Sequence, residues 1–276
     1  MTLSERNIFF KAGIILSVIC MVISIAGSLK AIPVYGSVEG EISCRSEGIF
    51  QAIAGKNMDA RLMAVHIGIL MLALYSFLSM VLIYYYFEKT QSPEILFIVF
   101  FAASFSMEVF RLSIPLGYVY ELPSLYLILS SRIVLAGRFF GLFSLFTASV
   151  FAVGFEAQRS NVILIIVMVT LIMALGVPID TQVWDSSLNM VNGFNSMFKL
   201  IEAGIFLITV ISFLIAAWRR GSREFAFIGI GAALVFLGRN ILLNADTWPG
   251  LPAGLIFLVA GTWLICNRLH KVYLWL

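Results

Sequence analysis

Charge is what this sequence has least of: 12% of its 276 residues are Asp, Glu, Lys or Arg, against roughly 25% in ordinary soluble domains. With 61% of residues in the hydrophobic set, no stretch is left over to form a separate water-soluble domain. The net charge of +3 is not gathered into a basic patch, which excludes the electrostatic footprint that nucleic acid needs. Cysteine is scarce and scattered: Cys20, Cys44 and Cys266 show neither pairing nor C-x-x-C spacing. The two histidines, His66 and His270, lie far apart in the chain, so a His/Cys metal site has too few ligands in any one place. No metal and no cofactor is expected.

Catalytic signatures are equally thin. Every aspartate falls in an expected loop, which excludes a pair of intramembrane aspartates, and H-E-x-x-H and G-x-S-x-G are both missing. A retinal-type Schiff base would need a lysine in mid-membrane, and the nearest candidate, Lys199, stands close to a helix end. The pair Gly229 and Gly231 lies inside an apolar run rather than between a strand and a helix, so it is not a nucleotide loop. An enzyme is therefore not the favoured class.

What is present is a series of long apolar runs. A hydrocarbon core of about 30 Å needs roughly 20 residues at 1.5 Å each, and only helices or closed barrels satisfy their backbone there. The expected fold is all-α, a polytopic helical bundle of about eight transmembrane helices forming one transmembrane domain over residues 1–276. The expected spans are Ala12–Gly27, Arg61–Phe87, Glu94–Ile114, Ser124–Phe155, Val162–Leu175, Met197–Trp218, Phe225–Asn244 and Leu251–Cys266. The first could instead be a cleaved signal, leaving seven helices, but the small-x-small cleavage site is poor because Leu29 precedes Ala31 by two. Two long polar loops are expected, at Gly36–Ala60 and Val177–Ser196.

Lys and Arg are retained in cytoplasmic connections. Arg6, Lys11, Lys89, Arg159, Arg219, Arg220, Arg223, Arg268 and Lys271 fall in segments on one side, whereas the connections at Gly117, Asp180 and Asp246 carry none. Both termini are thus expected in the cytoplasm, and the first loop, with Arg45, Lys56 and Arg61, dissents. The lack of any Asn-x-Ser/Thr sequon fits a bacterial inner-membrane location. A parallel 4+4 duplication, 1–155 and 156–276, is suggested by Ser76-Phe77-Leu78 against Ser212-Phe213-Leu214 and by Arg111 and Arg239 each preceding a Leu-Pro pair. The placing of Arg138 opposite Arg268 opposes it.

Against this background the charge buried in the apolar runs carries the functional signal, because a charged residue at the bilayer centre costs roughly 2.5–3.5 kcal/mol even on the lenient insertion scale. On the expected map His66, Glu108, Arg111, Arg132, Arg138, Lys199, Glu202, Arg239 and Asn240 all fall in the outer half. Glu108 and Arg111 are three apart and share a helix face, as do Lys199 and Glu202. Arginine keeps its proton in apolar surroundings, and the arginines outnumber the glutamates. One reading is a structural network, with the arginines snorkelling to headgroups or neutralised by Asp180, Asp185 or Asp246 from the outer loops. The other is an outward-facing pocket for an anionic group, a carboxylate, phosphate or lipid headgroup, formed by Glu108, Arg111, Arg132, Arg138, Glu202, Arg239, Asn240 and His66.

A receptor or sensor module is the leading functional expectation. Because the chain ends ten residues after Cys266, that reading expects a separate signalling partner, besides membrane lipids. A transporter of a small organic anion or a lipid is the alternative, and the runs show no Gly/Pro-rich discontinuous helix to favour it. A lipid-processing enzyme with Glu108 or Glu202 as base comes third. Gly137 with Gly141, Gly250 with Gly254 and Gly231 with Gly238 mark places where helices can approach closely.

Overall fold

The computed structural model describes residues 3–42, 58–88, 92–155, 159–185, 187–193, 195–245 and 248–274. Most of the expected first loop, including Cys44, Arg45, Glu47 and Lys56, lies outside these residues, as does Asp246. The chain is an all-α helical bundle of the polytopic membrane type. Seven helices among the described residues are long and apolar enough to cross a membrane: Arg6–Lys30, Met63–Phe87, Pro93–Gly117, Ser124–Val153, Ser196–Arg219, Arg223–Leu243 and Gly250–Tyr273. The fifth expected span, Val162–Leu175, is also a helix but a shorter one, apolar over Asn161–Gly176.

In chain order, α1 runs Leu3–Ile42 and α2 Met58–Phe87. The first helix is thus 40 residues long, well beyond the expected Ala12–Gly27. Hydropathy reports where lipid contact ends, whereas the backbone ladder stops only where its hydrogen bonds do, and polar Gly36–Glu41 continues it. The third span is composite. It opens as α3, Pro93–Ser104, passes through an eight-residue 3₁₀ segment, Phe105–Leu112, and resumes as α4, Ser113–Val119. Pro93 occupies the first helical turn, where its missing N–H costs nothing.

The fourth span, α5 (Ser124–Val153), follows Pro123 and ends at Gly154, whose φ of 101° is a left-handed C-terminal cap. Then come α6 (Arg159–Gly176), α7 (Asn195–Arg219), α8 (Arg223–Leu243) and α9 (Gly250–Leu274). The expected second polar loop is in part a two-stranded antiparallel hairpin, β1 (Ile179–Trp184) and β2 (Met190–Asn192), with Ile179 opposite Asn192 and Trp184 opposite Met190.

Helix α5 is the hub, packing on α3, the 3₁₀ segment, α6 and α7. The third span is the most enclosed, with 78% of its most apolar window buried, against 17% for Ser196–Arg219, so it forms the wall that any interior site must share. An apolar core runs through Leu72, Phe97, Phe101, Phe105, Leu145 and Phe151. Helices α8 and α9 meet along a glycine seam. A Cβ added at Gly238 would lie 2.6 Å from the Leu258 nitrogen, and one at Gly261 would lie 2.7 Å from the Gly231 carbonyl, so only backbone fits between them. Gly137 does the same for α5, where a Cβ would meet that of Met107 at 2.7 Å.

Candidate functional site: a buried arginine–glutamate cluster

Serine back-bonds bracket the 3₁₀ segment. Ser104, Ser106 and Ser113 each turn a hydroxyl back to the carbonyl three residues earlier, Phe101, Ala103 and Phe110, at 2.7 Å. Such back-bonding competes with the α-helical ladder, although the same bond at Ser17 and Ser149 leaves α-helix intact. At three residues per turn, side chains at i and i+3 eclipse, which brings Glu108 and Arg111 directly over one another. Both are buried.

Glu108 is the acceptor at the centre. Arg138 on α5 grips it with both edges of its guanidinium, Nε to Oε1 at 2.7 Å and Nη2 to Oε2 at 2.8 Å, the forked geometry that makes arginine–carboxylate pairs strong. Arg111 adds Nη1 to Oε2 at 3.3 Å. On the far side of α5, Arg239 of α8 donates to Glu202 Oε1 of α7 at 3.3 Å, to the Arg138 carbonyl at 3.4 Å and to Asn240 Oδ1 at 3.3 Å. Five of the eight residues named from sequence, Glu108, Arg111, Arg138, Glu202 and Arg239, therefore form one connected chain of contacts, with Asn240 at its edge.

Arg132 is held elsewhere. Its Nη1 donates to the carbonyls of Ala174 at 2.8 Å and Leu175 at 2.6 Å. These are last-turn carbonyls of α6 that no intrahelical N–H can reach, so Arg132 caps that helix. His66 is buried in α2, next in sequence to Val65, whose side chain packs in the same apolar group as Leu188. Lys199 is exposed.

What sequence reasoning did not find is the lid. The tip of the hairpin, residues 187–190, lies across the cluster: the Ser187 carbonyl accepts from Arg111 Nη2, and Asn189 Oδ1 accepts from Arg138 Nη2 at 2.7 Å. Asp185 Oδ1 accepts from the Ser187 N–H at 2.5 Å and hydroxyl at 2.8 Å, and Asn189 Nδ2 donates to the Ser187 hydroxyl at 2.9 Å. The Asp-Ser-Ser-Leu-Asn run does carry turn chemistry, but nothing in it announces a position over arginines from two other elements. Leu188 within it has φ of 55°, unusual for a bulky side chain and costing about 1–3 kcal/mol. Its side chain is 3% exposed, packed with Cys20, Val65, Ile69, Val109 and Leu112.

Comparison of the chain with protein-family models, with curated proteins and with solved structures finds no match. The site therefore speaks through its own chemistry. Between Arg111, Arg138 and the tip lies a cleft of about 20 Å³, roughly the room one water needs. Apolar Phe110, Ile114, Val134 and Leu135 complete its walls. Arg111 Nε is buried with no hydrogen-bond partner among the described residues. The arrangement offers buried, fixed, positive hydrogen-bond donors beside an apolar wall; among the described residues no group of three His, Cys, Asp or Glu is placed to hold a metal ion.

Buried polar groups also occur at the opposite ends of these helices, where sequence reasoning placed none. Arg6 Nη2 donates to the carbonyls of Phe87 at 2.9 Å and Glu88 at 2.6 Å, capping α2. Glu94 Oε2 accepts from Ser92 Oγ at 2.7 Å and from Tyr273 Oη at 2.6 Å, tying α9 to α3.

Proposed function

We propose that this chain is a membrane-embedded binding module of receptor or sensor type, and that the cluster around Arg111, Arg138 and Arg239 takes an anionic group. The observation that carries this reading is the excess of guanidiniums over the carboxylates they contact, beside a cleft that Arg111 and Arg138 line, with Arg111 Nε buried and without a hydrogen-bond partner among the described residues. An unpaired buried donor costs about 1–3 kcal/mol, and an anion's oxygen would satisfy it. The bacterial inner membrane is the expected location. With both termini in the cytoplasm, as the Lys/Arg asymmetry favours, the hairpin and its cleft face outward.

Native mass spectrometry of the purified protein tests this reading. An anion that co-purifies with the wild type and is lost in Arg138→Met, with the fold retained, supports it. A wild type free of any anion, and indifferent to carboxylates and phosphate in calorimetry, would refute it.

A transporter of an organic anion is the second reading, favoured by one observation: the third span departs from α-helical geometry for eight residues in its interior. Irregular backbone at membrane depth lines a cavity or is buried in protein, and although this span stays continuous through the 3₁₀ turn, its departure from α-helix falls at the arginine–glutamate cluster. Vesicles loaded with the purified protein separate the two, since saturable binding without uptake fits a receptor and uptake fits a transporter.

A further inference from the structure

The cleft beside Arg111 and Arg138 holds about 20 Å³, too little for any organic anion, so whatever binds there must displace something. What occupies the space is the hairpin tip. It sets the Ser187 carbonyl oxygen on Arg111 and the Asn189 amide oxygen on Arg138 at 2.7 Å, with the isobutyl group of Leu188 buried just beyond, 3% exposed among Cys20, Val65, Ile69, Val109 and Leu112. Next to the tip in sequence stands one carboxylate, Asp185, which is exposed and whose Oδ1 accepts from the Ser187 N–H and hydroxyl.

Two oxygens on two guanidiniums, an aliphatic group and one negative charge are together what an aliphatic carboxylate presents. We propose that the tip, residues 187–190, is a tethered stand-in for such a ligand: an aliphatic monocarboxylate enters by displacing it, its oxygens replacing those of Ser187 and Asn189 and its chain replacing Leu188. This rests on the anion-binding reading above and names its ligand and its gate. Charge supports the class. Arg111, Arg138 and Arg239 contact Glu108 and Glu202, so once the tip leaves with Asp185 a single positive charge remains, and one carboxylate balances it. Phosphate offers no apolar part for the space that Leu188 vacates, and acetate too small a one. The positive φ of Leu188 agrees, because the closed tip is held by its contacts rather than by a backbone preference.

The test uses the full chain in detergent with Cys20, Cys44 and Cys266 replaced by alanine and Leu188→Cys introduced, and reads how fast a maleimide labels position 188. Octanoate should speed labelling by about tenfold or more, and calorimetry should rank octanoate above acetate and inorganic phosphate. Asn189→Ala, which weakens the closed tip, should bind octanoate about tenfold more tightly, because apparent affinity rises with the fraction of competent state. Octanoate binding that is lost in Arg138→Met, while position 188 stays protected and Asn189→Ala binds no tighter, overturns the displacement and leaves the anion site standing. No binding of octanoate, acetate or phosphate to wild type or Asn189→Ala removes both. Should Leu188→Cys fail to fold, the direction of the Asn189→Ala affinity change decides alone.

Discussion

Arg138 straddles the carboxylate of Glu108, one guanidinium edge on each oxygen at 2.7 and 2.8 Å, although the two residues stand on different spans. The pair locks the 3₁₀ segment to the hub helix α5 and fixes the height at which the hairpin tip can rest. Removing half of a buried ion pair is strongly destabilising, whereas removing all of it often costs little. Glu108→Gln should therefore lower stability by about 3–5 kcal/mol, and Glu108→Met combined with Arg138→Met should recover most of that loss. Reversible unfolding in mixed micelles measures both. Arg138→Lys should resemble the loss, since an ammonium cannot make the fork.

The serine back-bonds make a separate prediction. Replacing Ser104, Ser106 and Ser113 together by alanine removes three hydroxyl contacts at 2.7 Å, each worth about 0.5–1.5 kcal/mol. The segment should relax toward α-helical geometry and rotate Glu108 away from Arg138. Spin labels at Phe110, in the segment, and Leu129, on α5, should report a changed distance; an unchanged distance would show that packing alone imposes the 3₁₀ geometry.

For Arg132 the expected effect is local. Arg132→Met should uncap α6 and raise amide exchange over its last turn, near Ala174 and Leu175, at a cost of about 1 kcal/mol. Anion binding should persist. Its loss in this variant would instead put Arg132 in the site.

The α8–α9 seam predicts an asymmetry between glycines. Gly238→Ala forces a Cβ to within 2.6 Å of backbone nitrogen and 2.7 Å of a backbone carbonyl, neither of which can swing aside, so a loss of about 1–3 kcal/mol is expected. Gly204 on α7 has nothing within 4 Å of the same position. There, alanine should stabilise by about 0.5–1 kcal/mol. Thermal unfolding of the two variants side by side checks the contrast.

Topology is open to direct labelling. With the proposed orientation, an impermeant thiol reagent should reach Glu121→Cys from outside the cell and Ser222→Cys only after permeabilisation. Labelling of both from one side would contradict the map and, with it, the outward-facing cleft.

The sequence by itself determined the solvent and the fold class. Apolar runs of that length admit only helices, because the hydrocarbon leaves backbone groups no other partner, and so the bundle and most span boundaries were legible in hydropathy. It also marked Glu108, Arg111, Arg138, Glu202 and Arg239, since charge in such runs must be compensated. Tertiary structure decided who compensates whom. Arg132 and Arg138 lie on the same helix and look alike in sequence, yet one caps α6 and the other grips Glu108, because their neighbours come from distant parts of the chain. The extent of α1 and the 3₁₀ turn were hidden because hydropathy is blind to backbone hydrogen bonding, and serine back-bonds look like ordinary small residues. The hairpin over the cluster was hidden for a related reason: a polar loop of that composition has many resting places, and the choice among them is made by the guanidiniums it meets and the apolar space left for Leu188.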